Sequence, residues 1–470
     1  MKYTEIDTQA YYDQQDEYYK QYWAADGTVH WGFFQDDVLD DLQAAGWAWT
    51  QEMFEKADIK QNSTILEIGC GNGAVAIWLA QQTGCRVVGI DISNVRIENA
   101  IAAASAYPDL NVEFICGTIT DLPFEDNQFT HVWGQTVFYH VPALKTALKE
   151  VSRVLTNRGI LIFDEFVRPT IPIRETVENH FYKRLKFTPQ YTCEEYLSVL
   201  RHLRLMPIET IDMAPHIARS YELAANNSAL IDPDISQSFR VTSDATQTGE
   251  IAGYFYKCVK VTDPAQWAYE CQSSTDVKTR YDTWAETYDR DLTPYYDTPS
   301  RAAQQFSQYV DDKTVTILDV GCGTGLMGQA LAKLGYTTIE GLDLSQGMLE
   351  IARQKRCYSR LCEFNLIQDN LLNDPDIEKY AAIISAGCIT FGHAPAHVLA
   401  RIFAWLKPGG VFHITVRQDF MEQDVYFKTL LHGLRWQILS QESWSIFADE
   451  ERMLGLVLRK DDSKVEIQGF

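Results

Sequence analysis

Residues 64–93 read TILEIGCGNGAVAIWLAQQTGCRVVGIDIS, and residues 316–345 read TILDVGCGTGLMGQALAKLGYTTIEGLDLS. The two stretches align without a gap, at an offset of 252 residues (316 minus 64). That offset is too long for a solenoid repeat, so the repeat indicates two domains in tandem. A chain of 470 residues is long enough to fold as two or three domains.

Each copy contains the same order of elements. A short apolar run ends in an acid, as expected of a strand that is buried on both faces of a parallel sheet. A glycine-rich turn, an amphipathic helix and a second apolar strand that also ends in an acid follow, which together make a βαβ unit. These acids and glycines are Glu67, Gly69, Gly71, Gly73 and Asp91 in the first copy and Asp319, Gly321, Gly323, Gly325 and Asp343 in the second.

The physical chemistry of this unit indicates a nucleoside-containing cofactor. The glycines allow positive φ and a close approach of the backbone to a ligand. The free N–H groups at the helix N-terminus attract an anionic group, and the second acid can accept hydrogen bonds from both ribose hydroxyls. Glycines that served only as turns would leave the matched acids unexplained.

The spacing is E/D-x-G-x-G-x-G, whereas a dinucleotide-binding fold shows G-x-G-x-x-G. It resembles motif I of the class I S-adenosylmethionine-dependent methyltransferases. The resemblance implies one bound S-adenosylmethionine in each copy, held by the acids and glycines named above. It also implies an α/β fold with two tandem Rossmann-like, seven-stranded methyltransferase domains.

The remaining pattern predicts the domain limits. Residues 1–261 form the first methyltransferase domain, with a helical cap insertion near 171–204. Residues 262–276 are polar and contain Pro264, which predicts a linker. Residues 277–470 form the second domain, which ends in a hairpin over 436–447 and 453–460.

Composition and charge restrict the partners. With 46% hydrophobic and 22% charged residues the chain is expected to fold as a packed soluble protein. The net charge is −23 and no run of basic residues occurs, so a nucleic-acid partner is not expected. The [D/N/S]-P-P-[Y/F] motif of enzymes that methylate base amino groups is also missing, which favours a small-molecule methyl acceptor.

The sequence also bears on the cellular location of the protein and on metal binding. The N-terminus is not a secretory signal, and no stretch reaches the roughly 20 apolar residues needed to cross a membrane. The ten cysteines include no CxxC pair, so we expect reduced thiols, a cytoplasmic location and no metal site. The sequence leaves the oligomeric state open.

The segments outside the repeat differ between the domains. Residues 11–34 (YYDQQDEYYKQYWAADGTVHWGFF) and 133–141 (WGQTVFYHV) resemble the sarcosine/dimethylglycine N-methyltransferase branch, over roughly residues 9–226. That resemblance implies an amine or amino acid as acceptor, while oxygen, sulfur and carbon acceptors stay open. Residues 280–289 (RYDTWAETYD) resemble the Williams–Beuren-region methyltransferase-like family, over roughly residues 277–460.

Aromatic residues and one histidine are candidates for the acceptor site of the first domain. Tyr12, Trp23, His30 and Trp31 are expected to line the pocket, where aromatic rings suit a substrate that becomes a quaternary ammonium. His140 is a candidate base for a protonated acceptor, and we assign catalysis to His140, Tyr12 and Trp31. Each of these aromatic residues could instead belong to the core. The wider aromatic set contains Tyr11, Tyr12, Tyr18, Tyr19, Tyr22, Trp23, Trp31, Phe33 and Phe34.

Further candidate residues lie beside the expected cofactor in each domain. The family resemblance implies an acid at the end of the third strand that accepts the adenine amino group, but Thr118 occupies that position, so its hydroxyl or the backbone of Thr118 and Ile119 takes this role. In the second domain, Asp369–Asn370 lies in the equivalent region. Tyr288 lies on one helix face with Tyr281 and Trp284 and is expected to cover the cofactor, although these residues could equally dock the helix. His393 follows the fourth strand and is either an acceptor-site residue or a loop residue.

Three functions remain in competition. The chain is a bifunctional small-molecule methyltransferase, or one domain is active while the other is a structural or regulatory module, or the chain binds cofactor without chemistry. The intact motif in both copies favours the first, with N-methylation by the first domain.

Overall fold

The computed structural model describes residues 3–23, 28–34, 40–292, 296–367, 377–446 and 451–461. Its contacts divide the chain into two compact units, Met1–Thr262 (unit 1) and Asp263–Phe470 (unit 2). Within the described residues, no helix is both long enough and apolar enough to cross a membrane.

Unit 1 contains a seven-stranded mixed sheet with the strand order β3-β2-β1-β4-β5-β7-β6. Its last strand in sequence, β7, runs antiparallel to both of its neighbours. The strands are β1 (Thr64–Ile68), β2 (Arg86–Asp91), β3 (Val112–Cys116), β4 (Phe129–Gln135), β5 (Leu155–Val167), β6 (Leu205–Asp212) and β7 (Ala252–Lys260). The helices are α1 (Glu5–Tyr22), α2 (Leu42–Ala57), α3 (Ala74–Thr83), α4 (Asn94–Ala104), α5 (Leu144–Val154), α6 (Glu175–Val177), α7 (Cys193–His202), α8 (Ala214–Ser228) and α9 (Pro233–Gln247).

Both faces of the sheet are buried. Ile65 of β1 belongs to one hydrophobic cluster and the next residue, Leu66, to the other, because successive side chains of a strand point to opposite faces. The continuous apolar run before the glycine turn therefore reflects helices on both sides of the sheet.

The helical cap is larger than the sequence analysis predicts. Residues 171–204 contain α6, a π-helical turn (Glu178–Tyr182) and α7. The longer helices α8 and α9 lie between β6 and β7, where we predicted no helix. Their start signals are present in the sequence, since each carries a proline in its first turn and Asp232 caps α9.

Unit 2 repeats the topology, with the strand order β10-β9-β8-β11-β12-β14-β13. The strands are β8 (Ile317–Val320), β9 (Ile339–Asp343), β10 (Arg360–Glu363), β11 (Tyr380–Ala386), β12 (Leu406–Arg417), β13 (Trp436–Ile446) and β14 (Glu451–Lys460). The helices are α10 (Pro264–Tyr269), α11 (Ser274–Leu292), α12 (Thr298–Ser307), α13 (Leu326–Lys333), α14 (Gln346–Gln354), α15 (Val398–Trp405), α16 (Gln418–Gln423) and α17 (Val425–Gly433). The predicted α/β fold with two tandem seven-stranded sheets is confirmed.

The segment 262–276, where we predicted a linker, contains helix α10 and the first turn of α11. The Asp263 carboxylate caps α10 by accepting from the Gln266 backbone N–H at 3.1 Å. Pro264 occupies the first turn, where its missing N–H is tolerated, and Trp267 is buried. The proline and the polar residues mark a helix start here.

Candidate functional site

The glycine turn of each unit has a backbone that requires glycine. The φ angles of Gly69, Gly71 and Gly73 are +63°, +52° and +81°. A Cβ at Gly69 would lie 2.5 Å from a Val137 methyl group, and one at Gly73 would lie 2.6 Å from the Phe114 ring. In unit 2 the corresponding angles are +72° at Gly321, +53° at Gly323 and +89° at Gly325.

The acid that ends the second strand fixes this turn in the same way in both units. The Asp91 carboxylate accepts from the backbone N–H of Gly71 and of Ser93, both at 2.9 Å. Asp343 accepts from the backbone N–H of Gly323 and of Ser345, both at 2.8 Å. Each carboxylate oxygen has a further lone pair, so the acid can also accept from a ribose.

The acid that ends the first strand differs between the units. Glu67 is buried, and its Oε2 has no hydrogen-bond partner among the described residues. Burial, with the nearby charge of Asp91, raises the pKa of Glu67 well above its usual range. The Tyr358 hydroxyl donates to Asp319 Oδ2 at 2.6 Å, while Asp319 Oδ1 finds no partner in the described part of the chain. Burial raises the pKa of Asp319 to about 7.

These features fit S-adenosylmethionine. Neighbouring side chains fill the space where a Cβ would lie on the first and third glycines of each turn. A ligand can therefore approach the turn only along its backbone. Buried carboxylate oxygens without partners call for a donor, which the amino group of that cofactor supplies. Glu67 in unit 1 and Asp319 in unit 2 each carry one such oxygen.

A cavity of about 1270 Å³, measured to its open mouth, lies at this edge of the unit 1 sheet. Of the predicted residues, these line it: Tyr12, Trp23, His30, Trp31, Glu67, Gly69, Gly71, Asp91, Thr118, Ile119 and His140. Gly73 does not line it; a Cβ there would also meet Ala100 of α4 at 2.8 Å, so this glycine permits close packing behind the turn.

Unit 2 has a smaller cavity of about 790 Å³. Of the residues that the sequence analysis names, Gly321, Gly323, Asp343, Tyr288, Tyr281 and His393 line it, together with Cys388. Asp319 and Gly325 do not line it. Trp284 is buried and donates to an Asp291 carboxylate oxygen at 3.0 Å, so it belongs to the helix packing. Asp369 and Asn370 lie outside the described residues.

A tyrosine–histidine pair lies in the unit 1 cavity. The Tyr12 hydroxyl of α1 is 2.7 Å from His140 Nε2 and 3.2 Å from the Tyr139 hydroxyl. Burial, and secondly the charge of Arg96, lower the pKa of His140 to about 3, so its imidazole is neutral. His140 Nδ1 is buried and has no partner among the described residues. The Arg96 guanidinium lies 4.3 Å from the centre of the Tyr12 ring.

Unit 2 contains an equivalent pair. The Tyr281 hydroxyl of α11 is 2.7 Å from His393 Nε2. His393 Nδ1 is 3.1 Å from the Phe391 carbonyl oxygen, which can only accept, so Nδ1 carries the proton and Nε2 accepts from Tyr281. Burial lowers the pKa of His393.

The helices that carry these tyrosines are attached in the same manner. The residue after each tyrosine is an aspartate, and the Ser93 hydroxyl donates to Asp13 as the Ser345 hydroxyl donates to Asp282, both at 2.5 Å. The internal repeat therefore extends beyond the glycine motif. Our sequence analysis missed this correspondence, although the dipeptide Tyr-Asp at 12–13 and 281–282 was a visible signal.

Aromatic side chains contribute much of the remaining lining of the unit 1 cavity. The lining residues of this part are Trp23, Trp31, Phe166, Leu185, Tyr221 and Phe239, with the guanidinium of Arg184. Trp31 is 1% exposed and meets Phe166 edge-on at 4.8 Å, so it is also part of the core.

The rest of the predicted aromatic set lies elsewhere. Tyr11, Phe33 and Phe34 do not line the cavity; Phe33 instead packs against Trp49 and His216. The side chains of Tyr18, Tyr19 and Tyr22 lie outside the described residues.

Both units are similar in sequence to known methyltransferases. A family model described as a methyltransferase domain matches residues 66–163, and another with the same description matches residues 317–410. The (+)-O-methylkolavelool synthase of Herpetosiphon aurantiacus is 28% identical over 46% of this chain and 75% of its own length. The glycine/sarcosine/dimethylglycine N-methyltransferase of Actinopolyspora halophila is 32% identical over 33% of this chain and 28% of its own length. The human methyltransferase-like protein 27 is 35% identical over 30% of this chain and 57% of its own length.

The matched residues contain both glycine turns, both acids of each unit and the strands that carry them. Each unit therefore contains a stretch that matches a methyltransferase-domain model, and the two stretches lie in tandem along the chain.

Proposed function

We propose that each unit binds one molecule of S-adenosylmethionine and that unit 1 methylates a small-molecule acceptor held in its aromatic cavity. One observation carries the proposal: the glycine turn with its acids and the Tyr12–His140 pair line a single cavity. The buried imidazole of His140 in the same cavity supports a chemical step in addition to binding.

In unit 1 the cofactor would be held by groups that already face the cavity. Asp91 would accept from the ribose hydroxyls, and Glu67 Oε2 would accept from the amino group. The bound cofactor supplies an activated methyl group, so the protein mainly has to position the acceptor atom in line with it. The cap and α1 supply the apolar surface for that acceptor.

His140 would take the proton of the acceptor oxygen as that oxygen bonds the methyl carbon and becomes strongly acidic, because a pKa of about 3 makes the imidazole too weak a base to deprotonate a free hydroxyl. Bound S-adenosylmethionine would supply an activated methyl group to the acceptor oxygen, with its sulfur as the leaving group. The acceptor proton would pass to His140 Nδ1, which requires the tautomer whose Nε2–H donates to the Tyr12 hydroxyl oxygen, 2.7 Å from Nε2. The positive charge thus moves from sulfur to the imidazole, so the buried cavity keeps the same net charge.

The charges around the cavity favour a neutral hydroxyl, as in an alcohol or phenol, over a protonated amine. Arg96 and Arg184 both line the cavity and would repel a cationic acceptor. Of the acids that line it, Glu67 and Asp91 are assigned to the cofactor, and Glu5 is held by Thr118 and Thr120. The name of the Herpetosiphon relative also refers to an O-methylated product. The nitrogen acceptor of the sequence analysis remains the second candidate, supported by the aromatic walls and by the Actinopolyspora relative.

We further propose that unit 2 is a second methyltransferase site. Its Tyr281–His393 pair supports this, because it repeats the distance found in unit 1. In unit 2 the histidine Nε2 accepts from the tyrosine, so the acceptor proton would reach His393 through the Tyr281 hydroxyl. The alternative is a unit 2 that binds cofactor in a structural or regulatory role.

The test is an incubation of the full chain with methyl-labelled cofactor and a panel of alcohols, phenols, amines, amino acids and thiols. The variants His140→Gln and His393→Gln are compared with the parent chain. We expect each substitution to abolish a different set of products. If His393→Gln leaves every product unchanged, unit 2 has the structural or regulatory role. If the parent chain binds cofactor but methylates no acceptor in the panel, the proposal of a neutral hydroxyl or amine acceptor is wrong.

A further inference from the structure

We infer that Glu5, on helix α1, accepts a hydrogen bond from the exocyclic amino group of the cofactor's adenine in unit 1. This inference rests on the proposed binding of S-adenosylmethionine by unit 1. It gives helix α1 a direct part in recognising the nucleobase, in addition to carrying Tyr12.

The carboxylate of Glu5 lies at the edge of the cavity, over the loop that follows β3. The Thr118 hydroxyl donates to Glu5 Oε2 at 3.1 Å, and the Thr120 hydroxyl donates to Glu5 Oε1 at 3.0 Å. Glu5 and Thr118 both line the cavity. Each oxygen of a carboxylate has a second lone pair, so these two bonds hold the group in place and leave acceptor capacity for a ligand.

The sheet register places this carboxylate where a nucleobase is expected. Strands β2 and β3 pair in parallel, with Asp91 opposite Cys116, so Thr118 follows the end of β3 by two residues. If Asp91 holds the ribose, the attached base lies further along the same edge of the sheet, away from the glycine turn and over the end of β3. Ile92 and Ile119 line the cavity there and offer apolar contacts to a flat base.

The chemistry of the Glu5 carboxylate selects an amino group. It can accept from an N–H₂ on the edge of the base but would repel a carbonyl oxygen. Adenine presents the first and hypoxanthine the second at the same ring position. Glu5 lines the same cavity as Asp91, and its two threonine partners lie on the loop that follows β3.

Unit 2 provides an internal comparison. Glu5 precedes Tyr12 by seven residues, and the residue seven positions before Tyr281 is Ser274, which also lines its cavity. A serine carries no charge, so the inference applies to unit 1 alone.

The experiment is calorimetric titration of the full chain with S-adenosylhomocysteine and with S-inosylhomocysteine, whose base carries a carbonyl in place of the amino group. An Asp343→Asn background weakens the unit 2 site, so the titration reports on unit 1. The chain with intact Glu5 should prefer the adenosyl ligand by about 10- to 100-fold, the range of a lost charge-assisted hydrogen bond.

Glu5→Gln should bring the two affinities within about threefold of each other, because an amide can donate as well as accept. Ile6→Ala, at an exposed neighbour on the same helix, should keep the full preference. The double variant Glu5→Ala, Thr118→Asp should restore the preference for the adenosyl ligand, because Thr118→Asp returns a carboxylate to the same place.

Two results would overturn the inference while the proposed function stands. In one, Glu5→Gln keeps the full preference for the adenosyl ligand. In the other, Glu5→Gln weakens both ligands equally, which is the result expected if Glu5 only anchors α1 or stabilises its N-terminus. If the chain with intact Glu5 binds neither ligand in unit 1, the proposed function itself is wrong.

Discussion

Replacing the acid of one unit by its amide should disable one cofactor site and leave the other unchanged. Asp91 uses both carboxylate oxygens to hold backbone N–H groups, of Gly71 and of Ser93. An asparagine has one acceptor oxygen, so in either orientation its N–H₂ faces an N–H donor. Because Asp91 is only 8% exposed, water cannot easily replace the lost partner.

The expected magnitude follows from that geometry. Asp91→Asn loses one charge-assisted hydrogen bond, which lowers the free energy of unfolding of unit 1 by about 1.5–3 kcal/mol. The same loss of acceptors toward the ribose should weaken cofactor binding in unit 1 by about 10- to 100-fold. Asp343→Asn is the matched variant, because Asp343 makes the same two bonds in unit 2.

The assay is calorimetric titration with S-adenosylhomocysteine, combined with thermal unfolding of each variant. We expect each variant to keep one strong site, and the double variant to keep none. The reasoning is refuted if either variant still shows two sites of unchanged affinity, or if Asp91→Asn weakens both sites to the same degree.

The remaining predictions concern the Tyr–His pair, the glycine turn and two buried side chains. Tyr12→Phe should lower kcat of unit 1 by about 10- to 100-fold with little change in cofactor Kd, because it leaves His140 Nε2 without its hydrogen-bond partner. If the affinity for the cofactor falls by the same factor, Tyr12 belongs to the cofactor site instead. Gly73→Ala should unfold unit 1 at a much lower temperature than Gly84→Ala, since both have positive φ but only Gly73 lacks space for a Cβ; similar Tm values would contradict this. Trp31→Ala should reduce the free energy of unfolding by about 3–5 kcal/mol, because the ring is 1% exposed in the core, and a fully stable variant would remove Trp31 from the core. Burial lowers the pKa of His413 to about 3, below its ordinary 6.5, so the unfolded chain takes up a proton first as pH falls. The free energy of unfolding should then drop by about 1.6 kcal/mol between pH 6.5 and pH 5 on account of this residue. A His413→Gln chain with an undiminished drop would show that other groups cause it.

The parts of the fold that could be predicted are those encoded by short-range pattern. The glycine turn, the two acids and the alternation of apolar strands with helices are contiguous in sequence, and their geometry follows from positive φ and strand burial. That is why motif I located residues that line both cavities, including Gly69 and Asp91 in unit 1. The final hairpin was also predicted, over 436–447 and 453–460, close to strands β13 and β14.

The parts that could not be predicted depend on contacts between distant segments. Tyr12 and His140 are separated by 128 residues, and only the docking of α1 over the sheet edge brings them together. Helices α8 and α9 were missed because their sequence is polar and small, and their packing against the cavity is set by tertiary contacts. The linker predicted at 262–276 rests on composition, which does not distinguish a capped helix start from a loop. The two units divide between Thr262 and Asp263, at the N-terminal edge of that segment.

Equilibrium dialysis of the full chain against labelled S-adenosylmethionine tests the central claim most directly. Two matched sites, each with a glycine turn held by an acid, predict saturation at two molecules of cofactor per chain. Saturation at one molecule, or no saturable binding, would contradict the account.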